Sequence, residues 1–271
     1  DSEETPLGLE RIMAGAQFSN RTINSTDRGN HDELLGGVYL IAQLNPASRL
    51  NVTASTRLQL DSRGNRDLLP QLSASYTLND NKITFRTSAG RALRAGDFTE
   101  RYISSRIQNL TPGRNIGNPD LLPERSFTID AGADWNPADN TRLSVTGFYR
   151  SSDDLIDYVL TNSSDITNAD NLLPDENYFY TQNISSAQTS GIELLLSRQN
   201  RLGAGITGSA EAAYTYLHTS ADTGKVSKYI ANHPSHQASL NLGLRSNTLS
   251  VVSQSTFRVR STETAESISA R

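Results

Sequence analysis

The chain has 271 residues, a net charge of −4 and a mean hydropathy of −0.50, and only 35% of its residues are hydrophobic. It contains no cysteine and no run of about 18 apolar residues, which excludes a disulfide framework, a thiolate metal site and a helical membrane span. A basic segment is also lacking, so nucleic acid is not an expected partner.

Alternation of apolar and polar residues is the main pattern along the chain. It is clearest at 48–61, SRLNVTASTRLQLD, where every second residue from Leu50 onward belongs to one largely apolar set. The same alternation recurs at 72–78, 127–135 and 238–244. A helix does not produce this pattern, and about eleven such runs are present, each near the length that a tilted strand needs to cross a bilayer. We therefore predict an all-β, antiparallel up-and-down meander.

The connections between the predicted strands alternate in length. The short ones are rich in Asn, Asp, Pro and Gly, as tight turns are, and lie at 45–47, 78–81, 136–140, 199–202 and 245–247. The long ones are predicted at 20–33, 61–69, 94–124, 151–177 and 218–235. This alternation places all short turns at one end of the meander and all long loops at the other, which is typical of outer-membrane barrels. A soluble β-sandwich is the alternative, but its strands are usually shorter.

The polar sides of the predicted strands carry charged and strongly polar residues that a dry core does not accept. These residues are Arg57, Gln59, Arg86, Asp130, Asp134, Arg142 and Glu211. If the apolar sides face lipid, the charged sides line a wet or plugged interior without that cost. Trp135, just before a predicted turn, then suits an aromatic girdle at the membrane surface, with ordinary edge packing as the alternative. The sequence therefore predicts a segment of a transmembrane β-barrel.

Two motifs between residues 90 and 135 resemble the TonB-dependent outer-membrane receptors. In that family a strand ends in a Gly-x-Arg-Ala-Pro-like segment followed by Glu-Leu-Tyr. Here Arg94, Glu100 and Tyr102 match the first motif, with Gly96 where the family often has proline. The second motif, Asn-Pro-Asn/Asp-Leu-x-Pro-Glu, is matched at every characteristic position by Asn118, Pro119, Asp120, Leu121, Leu122, Pro123 and Glu124.

Two later segments resemble further landmarks of the same family. Residues 189–193, which include Gly191 and Glu193, are similar to its Thr-x-Gly-x-Glu strand start. Residues 233–236, His-Pro-Ser-His, are similar to its Pro-x-His segment before a late strand. The four landmarks occur in the family's order.

The resemblance implies a barrel of about 22 strands closed around an N-terminal plug domain. We expect residues 1–271 to be a partial barrel, about half of those strands, without the plug and the terminal strand. The implied function is active uptake of a scarce nutrient, most often a ferric siderophore-type iron chelate, driven by the TonB energy-coupling protein through the plug. The implied location is the bacterial outer membrane, among its lipid and lipopolysaccharide. The alternatives are cobalamin, glycan or peptide uptake by the same family, a passive porin or structural barrel, and a soluble β-rich binding module.

Arginines are the candidate ligand contacts, because arginine clusters suit anionic chelates. Five lie in one strand end and the loop that follows it: Arg91, Arg94, Arg101, Arg106 and Arg114. The last four are the predicted contacts, with charge balance against acidic groups or lipopolysaccharide as the alternative. The two prolines of the second motif are expected to hold 118–123 outside the sheet as a brace, with Glu124 re-entering the pairing.

Other patterns give weaker candidates. Gly203 to Gly208 has the G-x-G-x-x-G spacing, but it begins a predicted strand, whereas a dinucleotide site needs a helix there. The pair His233 and His236 is expected to be solvated, and residues 95–117 lack the histidine that heme receptors of this family carry. The acidic loop 151–177 is a possible calcium site without EF-hand spacing. We expect no catalytic residues, no metal and no cofactor.

Overall fold

The computed structural model describes residues 8–78, 82–203, 205–221 and 234–260. Its strands are β1 Leu9–Ser25, β2 Gly29–Ala47, β3 Leu50–Asp61, β4 Arg66–Thr77, β5 Ile83–Arg94, β6 Asn115–Ile116, β7 Glu124–Ala138, β8 Thr141–Asn162, β9 Asn177–Gly203, β10 Ile206–Ala221, β11 Pro234–Arg245 and β12 Ser250–Arg260. Its helical segments are α1, Phe98–Tyr102, and a 3₁₀ turn, Ser163–Asp165. Within these ranges, no helix is long and apolar enough to cross a membrane.

The strands form a single sheet in which neighbours in the sequence are neighbours in space. The order is β1-β2-β3-β4-β5-β7-β8-β9-β10-β11-β12, and every one of these pairings is antiparallel. The short β6 lies off this path and pairs in parallel with β9. The predicted all-β meander and its eleven long strands are confirmed.

The register gives the sheet an apolar face and a polar face. On the apolar face, Ala133, Val145 and Leu194 are neighbours across β7, β8 and β9. Many large side chains of this face are exposed, among them Ile129 and Trp135. An apolar face that remains uncovered matches a wall against lipid and does not match a soluble sandwich.

The polar face holds the predicted polar and charged set, and each member is hydrogen-bonded to another side chain of this face. Arg86 donates to Asp134 and Ser144 at 3.2 Å each, and Arg142 reaches the other oxygen of Asp134 at 3.2 Å. The remaining members bond on the same face, as Arg57 with Gln59 and Gln17, Ser88 with Asp130, and Asn241 with Glu211. Arg86, Arg142 and Asp134 thus form an ion-pair cluster, and the other charged residues of the set are hydrogen-bonded to neutral side chains of the wall.

The structure corrects two predicted long loops, 20–33 and 61–69, which are hairpin ends with short turns. β1 and β2 stay paired as far as Ser25 and Gly29, and the positive φ of 86° at Gly29 allows the tight turn. β4 begins soon after Asp61, whose carboxylate accepts bonds from the backbone of the residues in the turn. Backbone pairing continues here without apolar alternation, so the sequence pattern did not reveal these strand ends.

The predicted loop 151–177 is also shorter than expected. β8 and β9 remain paired as far as Asn162 and Asn177, which reduces the connection to residues 163–176. Consecutive residues such as Tyr158 and Val159 are buried in this extension. Burial on both sides of a strand removes the alternation on which the prediction depended.

The short turns at the other end of the sheet lie close to their predicted places. β2, β7 and β9 nevertheless continue into the predicted turns 45–47, 136–140 and 199–202. The segments 48–49, 139–140 and 246–249 connect their strands there, and Gly205 directly precedes β10. Part of the predicted turn 78–81 and most of the loop 218–235, with His233, fall outside the described residues. Gly203 ends β9, Gly205 precedes β10, and both glycines have positive φ values. The G-x-G-x-x-G spacing therefore leads into a strand and is not followed by a helix.

Gly191 lies inside β9, not at a strand start as predicted, and an aromatic ring covers it. A Cβ atom there would lie 2.5 Å from the Tyr216 carbonyl oxygen and 2.7 Å from Cζ of Phe148. We expect Gly191→Ala to lower the free energy of unfolding by about 1–3 kcal/mol through overpacking. Urea unfolding of the complete polypeptide in detergent measures this. Gly147→Ala, at a strand glycine with nothing within 4 Å, is the matched control, and equal unfolding midpoints for the two variants would contradict the prediction.

Candidate functional site

The candidate site is the loop between β5 and β7, residues 95–123, together with the outer ends of the strands that it contacts. We call this segment the inner loop, because α1 packs against residues on the polar face. Its anchor is Arg94, the last residue of β5. Arg94 donates to both oxygens of Glu124 at 2.7 and 2.6 Å and to both oxygens of Glu100 at 2.9 Å. Three residues of the sequence motifs, Arg94, Glu100 and Glu124, therefore meet in one ion-pair cluster.

The same cluster determines where α1 begins. Asp97 accepts a bond from the Glu100 backbone N–H, and the Glu100 carboxylate accepts one from the Asp97 N–H, which forms a capping box. On the other side, Glu124 accepts the backbone N–H of Ile156 in β8 at 2.8 Å. The carboxylates of Glu100 in α1 and Glu124 in β7 both bind Arg94 of β5, and Glu124 also binds β8. These contacts join the four elements.

Arg101 forms a second anchor, three strands away. Its guanidinium is 3.2 Å from the carboxylate of Glu33 in β2, and both residues are only 3% exposed. The guanidinium also lies over the rings of Phe98 and Tyr102, at 5.1 and 5.4 Å from their centroids. The Tyr102 ring stacks on His31 of β2 with centroids 3.5 Å apart. α1 is therefore fixed to the polar side of β2 by charge and by ring stacking.

The Asn-Pro-Asp-Leu-Leu-Pro-Glu segment is a brace outside the sheet, as expected, and β7 begins at Glu124. Leu121 is buried, and its carbonyl oxygen accepts a bond from Arg63 at 3.2 Å. The backbone N–H and C=O of Leu122 both bond to the side chain of Asn183 at 2.9 Å. Pro123 is fully buried. The brace therefore joins the inner loop to the β3–β4 turn and to β9.

A small apolar core lies between the inner loop and the β8–β9 hairpin. Its members are Leu110, Ile116, Ile166, Tyr178 and Tyr180. Polar bonds surround it: the Tyr178 hydroxyl donates to the Leu110 carbonyl at 2.8 Å, and Asn171 donates to two backbone carbonyls of the loop. Burial, and then the nearby charge of Asp120, raise the pKa of the Tyr180 phenol.

Asn118 and Pro119 complete the inner loop. The Asn118 backbone N–H donates to the Glu100 carbonyl at 3.1 Å, and its side chain accepts from the Asp120 N–H and from Asn168 at 3.0 Å each. Pro119 is partly buried. Gly191 and Glu193 lie elsewhere, in β9 opposite Phe148 and Thr146 of the wall. The landmark at 189–193 is therefore not part of the site.

The four arginines predicted as ligand contacts divide into two pairs. Arg94 and Arg101 are held by carboxylates, as described above. Arg106 and Arg114 are exposed, and neither has an ion pair within the described part of the chain. Only the second pair has its guanidinium groups available to an anion in this structure.

No set of three or more histidine or acidic residues converges on a possible metal position within the described ranges. The acidic residues of 151–177 are all described, so the calcium site considered for that segment is not supported. His236 bonds to the Tyr214 hydroxyl at 2.8 Å.

Sequence reasoning missed several residues that hold the inner loop. Glu33, Asn171 and Asn183 are partners of loop residues far away in the sequence, and none lies in a local motif. Glu33 and Asn171 fall in ranges predicted as long loops, where no alternation of apolar and polar residues indicates which side chains point toward the inner loop. The partner of Arg101 was therefore not predictable from local pattern.

Comparisons with known proteins agree with the overall fold. Residues 7–268 match the family described as TonB dependent receptor-like, beta-barrel. No curated protein sequence matches the chain. Among solved structures, the siderophore receptor PirA from Pseudomonas aeruginosa is similar over 92% of this chain and 44% of that chain, with 19% identity and a TM-score of 0.69.

Two further structures have the same fold. A mutant of the ferric enterobactin receptor PfeA from Pseudomonas aeruginosa, in complex with enterobactin, has 15% identity and a TM-score of 0.68 over 94% of this chain and 40% of that one. The outer membrane transporter YddB from Escherichia coli has 10% identity and a TM-score of 0.62 over 85% of this chain and 34% of that one. The chain thus spans less than half the length of the structures that it matches.

Proposed function

Because the chain belongs to the TonB-dependent receptor family, as part of the family's β-barrel, we propose that it forms wall and outer loops of an active transporter for a ferric siderophore-type iron chelate. The family places it in the bacterial outer membrane, with the apolar face against lipid and the polar face toward the barrel interior. In this proposal the remaining strands and a plug domain belong to other parts of the polypeptide. TonB contacts that plug.

The observation that carries the proposal is the inner loop, held rigidly on the polar side with two free arginines. Arg94 and Arg101 fix the loop through buried or half-buried carboxylates, so the loop keeps its shape when no ligand is bound. Arg106 and Arg114 then present two fork-shaped donor groups to an incoming anion. Preorganised guanidinium groups suit catecholate or carboxylate oxygens of a ferric chelate.

In the proposed cycle the chelate first binds between the outer loops and the plug. TonB then pulls on the plug with energy from the inner-membrane proton gradient, and the chelate passes along the polar face. Arg86 and Arg142 on that face are paired with Asp134, and Asp130 and Glu211 are hydrogen-bonded to neutral side chains. A wall that carries both signs of charge, held in such bonds, offers no strong trap to an anionic chelate in transit.

Binding and uptake by the complete receptor test the proposal. The probes are ferric enterobactin for catecholate chelates, ferric citrate for carboxylate chelates and cyanocobalamin for the competing ligand class. We expect one iron chelate to bind and to be taken up by cells only when TonB is present. Uptake that continues without TonB would instead identify a passive pore, and binding of cyanocobalamin alone would identify a cobalamin transporter.

The two free arginines give the sharper prediction. The double substitution Arg106→Gln and Arg114→Gln is expected to raise the Kd for the chelate at least about tenfold, since each lost charged hydrogen bond is worth more than a neutral one. Arg245→Gln, which changes an exposed arginine at the opposite end of the sheet, is the matched control. An unchanged Kd in the double variant would remove these arginines from the ligand site.

A further inference from the structure

Residues 27–29, at the turn between β1 and β2, contact residues 104–106 of the inner loop. The backbone N–H of Arg106 donates to the Asp27 carbonyl at 3.0 Å, and the Ser104 N–H donates to the Asp27 carboxylate at 2.9 Å. We call this region the turn–loop contact. It brings two arginines that are far apart in the sequence to one place at the outer end of the sheet.

Gly29 allows Arg106 to lie directly against the turn. Gly29 is buried, and a Cβ atom there would lie 3.0 Å from Nε of Arg106 and 3.3 Å from Nε2 of His31. The guanidinium and the imidazole are therefore neighbours across the glycine. The Arg28 carbonyl accepts bonds from Nε2 of His31 at 2.7 Å and from the Ser105 hydroxyl at 3.2 Å. This acceptor is thus already engaged, and Nε2 carries a hydrogen because a carbonyl cannot donate one.

Arg28 places a second positive charge at the turn–loop contact. Its Nε is buried and has no hydrogen bond within the described part of the chain. Its ion pair with Asp27 is long, 3.9 Å, and Asp27 also accepts the Ser104 N–H. Arg106 has no ion pair among the described residues. The contact therefore has one carboxylate and two guanidinium groups, and a buried N–H without an acceptor is costly. An anion bound here supplies both the missing charge and the missing acceptor.

The chemistry of this contact favours a carboxylate over a catechol ring. The inner loop has two aromatic residues, Phe98 and Tyr102, and both rings already have partners: Arg101 lies over them, and His31 stacks on Tyr102. Guanidinium groups, in contrast, bind carboxylates through paired hydrogen bonds. In a ferric tris-catecholate every catecholate oxygen is bound to iron, whereas a ferric citrate complex keeps carboxylates that are not bound to iron.

We propose that Arg28 and Arg106 form a subsite for a carboxylate of the transported chelate, one that is not bound to iron. This rests on the proposed function and narrows the ligand to carboxylate-type chelates. Arg106 donates from the exposed inner loop, and Arg28 donates from the turn, where its Nε has no other acceptor among the described residues. The sequence did not indicate Arg28, because it lies in a turn far from the loop arginines along the chain.

Isothermal titration calorimetry of the complete receptor, refolded in detergent, tests the subsite. The probes are ferric citrate and ferric enterobactin. Arg28→Gln is expected to raise the Kd for ferric citrate at least about tenfold, because a charged contact is lost, and to leave the affinity for ferric enterobactin unchanged. With Arg106→Gln added, the Kd is expected to rise by less than the product of the two single effects, because both arginines hold one group.

Arg11→Gln is the matched control, since Arg11 is an exposed arginine at the other end of β1. It is expected to leave both affinities unchanged. A loss of affinity in the Arg28 variant that is equal for the two chelates would overturn the proposal, as would single effects of Arg28→Gln and Arg106→Gln that simply multiply.

Arginine modification by phenylglyoxal keeps the subsite separate from the transport function. Peptide mass spectrometry reports the labelling of each arginine, iron-free citrate is the competing anion, and the Arg28 side chain is 31% exposed. Citrate in large excess over its Kd is expected to slow labelling of Arg28 and Arg106 at least about tenfold, and to leave Arg11 unaffected. Equal labelling of Arg28 with and without citrate would overturn the subsite. If citrate protects both arginines and no iron chelate is taken up, the subsite stands and the transport function fails.

Discussion

Replacing Glu124 with glutamine is expected to release the inner loop from the barrel wall. Glu124 binds Arg94 through both oxygens and also accepts the backbone N–H of Ile156. The substitution keeps the shape of the side chain but removes its charge and turns one acceptor into a donor that faces the guanidinium. We expect a loss of about 3 kcal/mol in the local stability of the loop, as for charged hydrogen bonds that lose a partner.

Hydrogen exchange of the loop amides in the complete receptor measures this loss. A change of about 3 kcal/mol corresponds to exchange about a hundredfold faster when opening is at equilibrium. Arg142→Gln is the control, because it breaks a single ion pair with Asp134 on the polar face far from the loop. If both variants exchange at the rate of the unaltered receptor, the Arg94–Glu124 pair does not hold the loop.

A methyl group at Gly117 is expected to displace α1. The ideal Cβ position there is 2.5 Å from the Arg101 carbonyl carbon and 2.6 Å from its oxygen. These are backbone atoms, which have no rotamer by which to move away. The Gly117 N–H also donates to the Ile103 carbonyl at 3.0 Å, so the two segments cannot separate without losing a bond. Overpacking of this kind costs about 1–3 kcal/mol or more.

The displaced helix takes Arg101 away from the buried carboxylate of Glu33, which then keeps only its longer ion pair, 3.6 Å, with Arg63. We therefore expect Gly117→Ala to reduce TonB-dependent uptake of the chelate at least about tenfold, with the barrel still resistant to unfolding in detergent. Gly36→Ala, at a β2 glycine with nothing within 4 Å, serves as the control. Normal uptake by the Gly117 variant would show that the position of α1 does not matter for transport.

The sequence predicted the membrane-crossing part of the wall well, because there one physical constraint acts on every residue. From Phe127 to Trp135, lipid on one side and polar surroundings on the other impose strict alternation, and the strand and its faces followed directly. Beyond the apolar band this constraint ends. The hairpin at 20–33 is held by backbone hydrogen bonds between β1 and β2, which do not depend on the side chains. No sequence pattern therefore predicted it.

The site was less predictable, because contacts between distant segments determine it. The sequence grouped Arg94, Arg101, Arg106 and Arg114 by proximity along the chain. The structure divides them according to partners such as Glu33, which belongs to a different strand. Arg91 lies in the same stretch but on the opposite face of the sheet. Proximity in the sequence therefore predicted which arginines belong to the loop. It did not predict which of them are paired with carboxylates.

The length of the β8–β9 hairpin has a consequence outside transport. Ser151 is level with Phe127 at the outer edge of the apolar band, and β8 continues from there to Asn162, paired with β9 throughout most of that extension. At 3.4 Å per residue this is about 37 Å along the strand. The hairpin therefore extends well above the lipid headgroups, and the exposed residues of its connection, such as Ser164 and Asp175, are accessible from outside the cell to antibodies and phage tail proteins.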